Sequence, residues 1–78
     1  MPKSFPELQG TLSTCLSIPI ESIQADFQYG DVPEWDSLGH MNLMMALEEK
    51  YGIEISTETI AELTSIKAIW EYLEKHAL

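Results

Sequence analysis

The chain has 78 residues, of which 45% are hydrophobic, and thirteen acidic residues against four basic ones give it a formal net charge of −9. This length predicts one small domain, residues 1–78, with enough apolar content for a packed core. The charge argues against nucleic acid or anionic membranes as partners, and it either serves only solubility or steers docking to basic patches on proteins. No apolar run approaches the roughly 18 residues that span a bilayer. We expect a cytoplasmic location, because no basic segment followed by an apolar stretch opens the chain. A monomer is the simplest expectation for the oligomeric state.

A first helix is predicted to begin after Ser4, the N-cap, with Glu7 three residues later as its capping-box partner. Pro19 predicts that this helix ends near residue 17, since the residue before a proline avoids helical geometry. The apolar residues at helical spacing are Phe5, Leu8, Leu12, Cys15 and Leu16. The single cysteine, Cys15, has no internal disulfide partner, and we expect a buried side chain rather than a nucleophile.

Residues 17–36 are predicted to form a long ordered loop, because Pro19 and Gly30 interrupt them and their apolar residues follow no sustained period. A loop of about twenty residues is unusual in a small domain and is normally functional or pinned by buried side chains. Ile23 and Phe27 are the expected anchors.

The second helix is predicted over residues 37–51 and ends at Gly52, a natural helix stop. At about 100° per residue, four side chains fall within one quadrant and form the face expected to enter the core: Leu43, Met44, Leu47 and Tyr51.

A second apolar strip lies on nearly the opposite side of this helix, formed by Leu38, Met41 and Met45 beside the acids Glu48 and Glu49. One helix in so small a domain rarely buries both faces. The strip either packs under the long loop or is an exposed partner site, a role that suits adaptable methionine side chains.

The remainder predicts a short extended link at residues 53–55, a brief helix over residues 58–63 capped by Ser56, and a last helix capped by Thr64 or Ser65. The apolar face of the last helix consists of Ile66, Ile69, Trp70 and Leu73.

The sequence contains no metal-ligand spacing and no recognisable catalytic set. His40 follows Ser37 by three residues but falls on the core side of the helix, which favours packing over a role as base. Ser37 is either an N-cap, a task that Asp36 can also perform, or the bearer of a phosphate ester, which the amide groups and dipole at a helix start stabilise.

The tripeptide Asp36-Ser37-Leu38 before an amphipathic helix resembles the attachment site of acyl carrier proteins and related peptidyl carriers. The similarity continues through MMALEEKYGIEI at residues 44–55 and TSIKAIWEYL at residues 64–73, so that it covers essentially the whole chain. The resemblance implies an all-α, four-helix bundle with a short third helix and a long first loop. It also implies a carrier rather than an enzyme.

In such a carrier, a separate phosphopantetheinyl transferase would esterify Ser37 with 4′-phosphopantetheine from coenzyme A, next to Asp36 and Leu38. The arm would hold acyl intermediates as thioesters and present them to enzymes such as an acyltransferase or a ketosynthase with basic docking patches. The family's docking face matches Leu38, Met41, Met45, Glu48 and Glu49.

This chain has Gly39 and Asn42 where fatty-acid carriers commonly have acids, and Trp35 and His40 resemble free-standing carriers of polyketide and other specialised pathways. We therefore expect an acyl carrier of such a pathway. An aminoacyl or peptidyl carrier and a fatty-acid synthesis carrier remain alternatives, and an unmodified helical adaptor is the alternative from a different class.

Overall fold

The computed structural model describes residues 4–76 and is all-α within that range. Its helices are α1 (Phe5–Leu16), α2 (Ser37–Tyr51), α3 (Thr57–Glu62) and α4 (Ile66–His76). The described residues form no strand, and the one β-type contact is an isolated bridge between Gln28 and Ser65. The expected four-helix architecture with a short third helix is confirmed.

Helix α1 begins where the sequence predicts, because the Ser4 hydroxyl accepts a hydrogen bond from the Glu7 amide at 3.2 Å. The second bond of a capping box, from the Ser4 amide to the Glu7 carboxylate, is not formed among residues 4–76, so that the capping-box role expected of Glu7 is wrong. The Glu7 carboxylate instead accepts a hydrogen bond from the Tyr51 hydroxyl at 3.3 Å, which joins the start of α1 to the end of α2. Helix α1 ends at Leu16, within one residue of the predicted end.

Helices α1, α2 and α4 enclose the core. The fully buried side chains on these helices are Leu8, Leu12, Leu43, Met44, Leu47, Ile66, Ile69 and Leu73. On α2, Leu43, Met44 and Leu47 are buried as predicted, while Tyr51 is half-buried. The rings of Phe5 and Trp70 make an edge-on contact at 5.6 Å that packs α1 against α4.

The long loop is fixed to the core by four side chains rather than two. Ile23 and Phe27 are buried, as predicted, but so are Ile18 and Trp35, which the sequence had not marked as anchors. A short 3₁₀ helix covers Ile20–Ser22. The sequence did not predict it, because the apolar residues of the loop follow no regular period.

Backbone hydrogen bonds join this loop to the start of α4. The Ile66 amide donates to the Phe27 carbonyl at 2.9 Å, and the Tyr29 amide donates to the Thr64 carbonyl at 2.8 Å. Ser65, rather than Thr64, caps α4, because its hydroxyl accepts from the Ala68 amide. These bonds hold the backbone on both sides of Gln28 against the start of α4.

Helix α3 is capped as expected by Ser56, whose hydroxyl accepts from the Thr59 amide at 3.2 Å. It covers Thr57–Glu62, one residue earlier than predicted at each end. Within residues 4–76, no helix is both long and apolar enough to cross a bilayer.

Candidate functional site

The first turn of α2 is capped by Asp36. One carboxylate oxygen of Asp36 accepts from the Gly39 amide at 2.9 Å, and the Asp36 carbonyl accepts from the His40 amide at 2.7 Å. Asp36 therefore performs the capping that the sequence had left open between two residues. The Ser37 hydroxyl is not needed to begin the helix.

Ser37 is the first residue of α2 and is exposed. Its Oγ lies 3.3 Å from the hydroxyl oxygen of Tyr29, and either atom can donate. The amide groups of Ser37 and Leu38 have no hydrogen-bond partner in the part of the chain that the structure describes. An accessible hydroxyl beside two open amides at the positive end of a helix fits a phosphate ester, because the amides can donate to its anionic oxygens.

His40 is buried and both of its ring nitrogens are hydrogen-bonded. The Trp35 indole donates to Nδ1 at 3.0 Å, and Nε2 lies 2.8 Å from the Ile60 carbonyl oxygen. Because an indole N–H only donates, Nδ1 must accept and Nε2 must carry the proton that goes to Ile60. His40 thus joins the loop to α3, and neither nitrogen is available as a base for Ser37.

Gly39 has a structural role that the sequence did not reveal. A side-chain carbon built on Gly39 would collide with the carbonyl oxygen of Glu34 and would lie 3.2 Å from a methyl carbon of Leu16. Only glycine lets the loop before Ser37 lie directly against the first turn of α2. Two features of the sequence could have indicated this packing: a large apolar residue, Trp35, in a turn-rich loop, and the glycine at position 39 itself.

The second apolar strip of α2 is exposed and does not pack under the loop. The exposed fractions of Leu38, Met41 and Met45 are 71%, 43% and 61% of each residue's surface, respectively. The structure therefore excludes the packing alternative and leaves a continuous apolar strip that begins beside Ser37.

The two acids at the lower end of this strip lie on different sides of it. Glu48 accepts a hydrogen bond from the Ile55 amide at 3.0 Å and so holds the link between α2 and α3. Glu49 borders a groove between α1 and α2 together with Lys50. The acids flank the strip instead of extending it.

Cavities lie on two sides of α2, and the smaller of these two adjoins Ser37. It encloses about 350 Å³ and is lined by Tyr29, Ser37, His40, Met41, Ile60, Ala61 and Thr64. The larger one, about 770 Å³, lies in the groove between α1 and α2 and includes Cys15. Cys15 is half-buried rather than buried as expected. This burial raises the pKa of its thiol and Lys50 only partly offsets the effect, so that a smaller share of the thiol is the nucleophilic thiolate. Residues 4–76 contain no cluster of side chains suited to a metal ion.

A small helical fold that presents an exposed serine at the start of its second helix is the arrangement expected of a carrier domain. Residues 6–73 match the family model described as a phosphopantetheine attachment site. The chain belongs to this family, whose domains carry covalently attached 4′-phosphopantetheine.

Curated relatives are acyl carrier proteins of similar length. That of Campylobacter hominis is 36% identical over 70 residues, which cover 90% of this chain and 89% of the relative. That of Helicobacter acinonychis is 28% identical over 74 residues, 95% of each chain. That of Phytoplasma mali is 28% identical over 72 residues, 92% of this chain and 86% of the relative. The expectation of a carrier that other enzymes use as substrate is confirmed at the level of the family.

Proposed function

We propose that this chain is an acyl carrier protein whose Ser37 carries the 4′-phosphopantetheine arm, in a free-standing carrier of a polyketide or related specialised pathway. The observation that carries this proposal is the exposed Ser37 hydroxyl at the start of α2, freed from capping by Asp36. The family match and the acyl carrier relatives support it. The single domain, the monomeric state and the cytoplasmic location stay predictions from the sequence.

Attachment requires an oxygen nucleophile that a transferase can reach. Ser37 Oγ would form a bond to the pantetheine-bearing phosphorus of coenzyme A while the bond to adenosine 3′,5′-bisphosphate breaks, and the hydroxyl proton would pass to a base of the transferase. The open amides of Ser37 and Leu38 would donate to the resulting phosphodiester. The arm supplies a terminal thiol that holds acyl groups as thioesters.

The choice of a specialised pathway rests on the absence of acidic residues in the first turn of α2, which follows Asp36. Fatty-acid carriers commonly have acids where this chain has Gly39 and Asn42. The packing of Gly39 against Glu34 gives a physical reason for the first of these differences, because any side chain there would displace the loop. Trp35 and His40, which also distinguish the chain, form the hydrogen bond that supports the same turn.

We propose that the exposed strip of Leu38, Met41 and Met45 docks partner enzymes, with Glu48 and Glu49 at its lower end. The strip is apolar beside Ser37, and acidic side chains of α2 flank it only toward the end of the helix. A complementary partner has an apolar patch near its active-site entrance and basic residues farther away. The phosphopantetheinyl transferase, an acyltransferase and a ketosynthase are the partners that this cycle needs.

Incubation with coenzyme A and a broad-specificity phosphopantetheinyl transferase tests the carrier function by intact mass. The wild-type protein should gain one phosphopantetheine, and Ser37→Ala should gain none while keeping its helicity, because Asp36 still caps α2. No added mass on the wild type would refute the proposal. If the wild type gains no mass and a Met41→Asp variant no longer binds a partner protein, the unmodified helical adaptor would be favoured.

Loading of the arm distinguishes the cargo. The holo protein should accept an acyl group from an acyltransferase of its own pathway and none from amino-acid-adenylating enzymes. Aminoacylation without acylation would replace the acyl carrier by an aminoacyl or peptidyl carrier.

The docking face is tested by Met41→Asp, with Thr14→Asp on the exposed surface of α1 as the matched control. We expect Met41→Asp to raise the KM of the transferase at least several-fold and Thr14→Asp to leave it unchanged. Equal effects would show that added charge, and not the strip, is responsible.

A further inference from the structure

Tyr29 is a loop residue that the sequence did not connect with Ser37. Its hydroxyl oxygen lies 3.3 Å from Ser37 Oγ although eight residues separate them in the chain. Within residues 4–76, no other side chain makes a hydrogen bond to the Ser37 hydroxyl. The position of the hydroxyl is therefore set from outside α2.

The ring of Tyr29 is held in place even though 41% of the residue is exposed. It makes edge-on contacts with His40 at 5.5 Å and with Trp35 at 6.3 Å. Its backbone is fixed by the bond from its amide to the Thr64 carbonyl. The hydroxyl thus has a defined direction, toward the start of α2.

Esterification changes which partner of this pair can donate. Before the reaction either hydroxyl can donate to the other. An esterified Ser37 Oγ has no hydrogen, so that of these two side chains only Tyr29 can then donate, beside the amides at the start of α2. A donor beside an anionic phosphodiester makes a charge-assisted bond, which is stronger than the neutral bond that it replaces. Tyr29 also borders the cavity of about 350 Å³ that continues between α2 and α3 past Ile60, Ala61 and Thr64.

We propose that Tyr29 is a positioning residue for the phosphopantetheine arm: its hydroxyl donates to the phosphate ester on Ser37 and holds the arm on the side of α2 that faces α3. This inference rests on the proposed attachment at Ser37. The arm then leaves the protein along Met41 and Ile60 rather than along α1, on the side away from Cys15.

The test compares the wild type, Tyr29→Phe and a matched control, Tyr72→Phe. Tyr29→Phe keeps the ring that contacts Trp35 and His40 and removes only the hydroxyl. Tyr72→Phe removes a hydroxyl that donates to the Glu54 carbonyl at 3.0 Å, away from Ser37. Each protein is loaded with a spin-labelled coenzyme A derivative, so that the label enters through the transferase and Cys15 stays unlabelled.

Paramagnetic broadening of amide signals then reports the side on which the arm lies. In the wild type and in Tyr72→Phe, the amides of Ile60, Ala61 and Thr64 should be broadened. In Tyr29→Phe the paramagnetic relaxation rates at these amides should fall by about 2- to 10-fold, the population change expected for one lost hydrogen bond. The ³¹P signal of the unlabelled holo protein should also move in Tyr29→Phe and not in Tyr72→Phe.

Unchanged relaxation rates or an unchanged ³¹P signal in Tyr29→Phe would overturn the role of Tyr29 and leave the attachment at Ser37 intact. A wild-type protein that gains no mass would overturn the attachment itself, so that the two failures are distinguishable.

Discussion

Replacement of Gly39 by alanine should destabilise the protein, whereas the same replacement at Gly10 should stabilise it. Both glycines lie inside helices, and alanine gains about 0.5–1 kcal/mol of helix propensity at either position. A side-chain carbon at Gly10 meets nothing within 4 Å, so no steric cost offsets the gain in helix propensity. At Gly39 it collides with the Glu34 carbonyl oxygen, which belongs to the backbone and has no rotamer by which to move away.

Overpacking of this kind costs about 1–3 kcal/mol of unfolding free energy. The cost at Gly39 should lie toward the upper end of this range, because the colliding atom belongs to the backbone. Gly39→Ala should therefore lose about 1–2 kcal/mol of unfolding free energy after the propensity gain is subtracted, and the two variants should differ by about 2–3 kcal/mol.

Urea denaturation followed by circular dichroism measures this difference. With an m-value on the order of 1 kcal/mol per molar urea, the two midpoints should be separated by about 2–3 M. A Gly39→Ala protein as stable as Gly10→Ala would refute the inferred packing of the loop on the first turn of α2. It would also remove the structural reason for an uncharged residue after Leu38.

Three further changes test other parts of the structure. Ser17→Gly should stabilise the fold by about 0.5–1 kcal/mol in the same denaturation assay, because Ser17 has a left-handed backbone with φ of 57°; a loss of stability would contradict this. Trp35→Phe should cost about 1–3 kcal/mol, since it leaves the buried Nδ1 of His40 without its donor, and a neutral effect would argue against that bond. Iodoacetamide should alkylate Cys15 more slowly than free cysteine at pH 8, because a raised pKa leaves less thiolate at any given pH, and urea should remove the difference. An equal rate in the folded protein would contradict the raised pKa of this half-buried thiol.

The helices could be predicted closely because their local signals are strong. Ser4 and Ser56 cap the helices that follow them, and Gly52 ends α2 in a left-handed conformation, as their residue types predict. The periodicity of α2 also separated the buried side chains from the exposed strip of Leu38, Met41 and Met45, although periodicity alone did not decide whether the loop covered that strip.

The contacts of the loop could not be predicted, because they join residues that no local pattern connects. The bond between Trp35 and His40, the approach of Glu34 to Gly39 and the contact of Tyr29 with Ser37 depend on how the loop folds back over α2. The Glu7 carboxylate bonds to Tyr51 rather than to Ser4, because a tertiary partner competes with the local one.

Localisation of the modification by tandem mass spectrometry tests the central claim most directly. After treatment with coenzyme A and the transferase, fragments of the wild-type protein should place the phosphopantetheine on Ser37 alone. Ser56→Ala, which removes another serine at a helix start, should be modified to the same extent once its folding is verified, and Ser37→Ala should remain unmodified. Phosphopantetheine on another residue, or its persistence in Ser37→Ala, would contradict the assignment of Ser37.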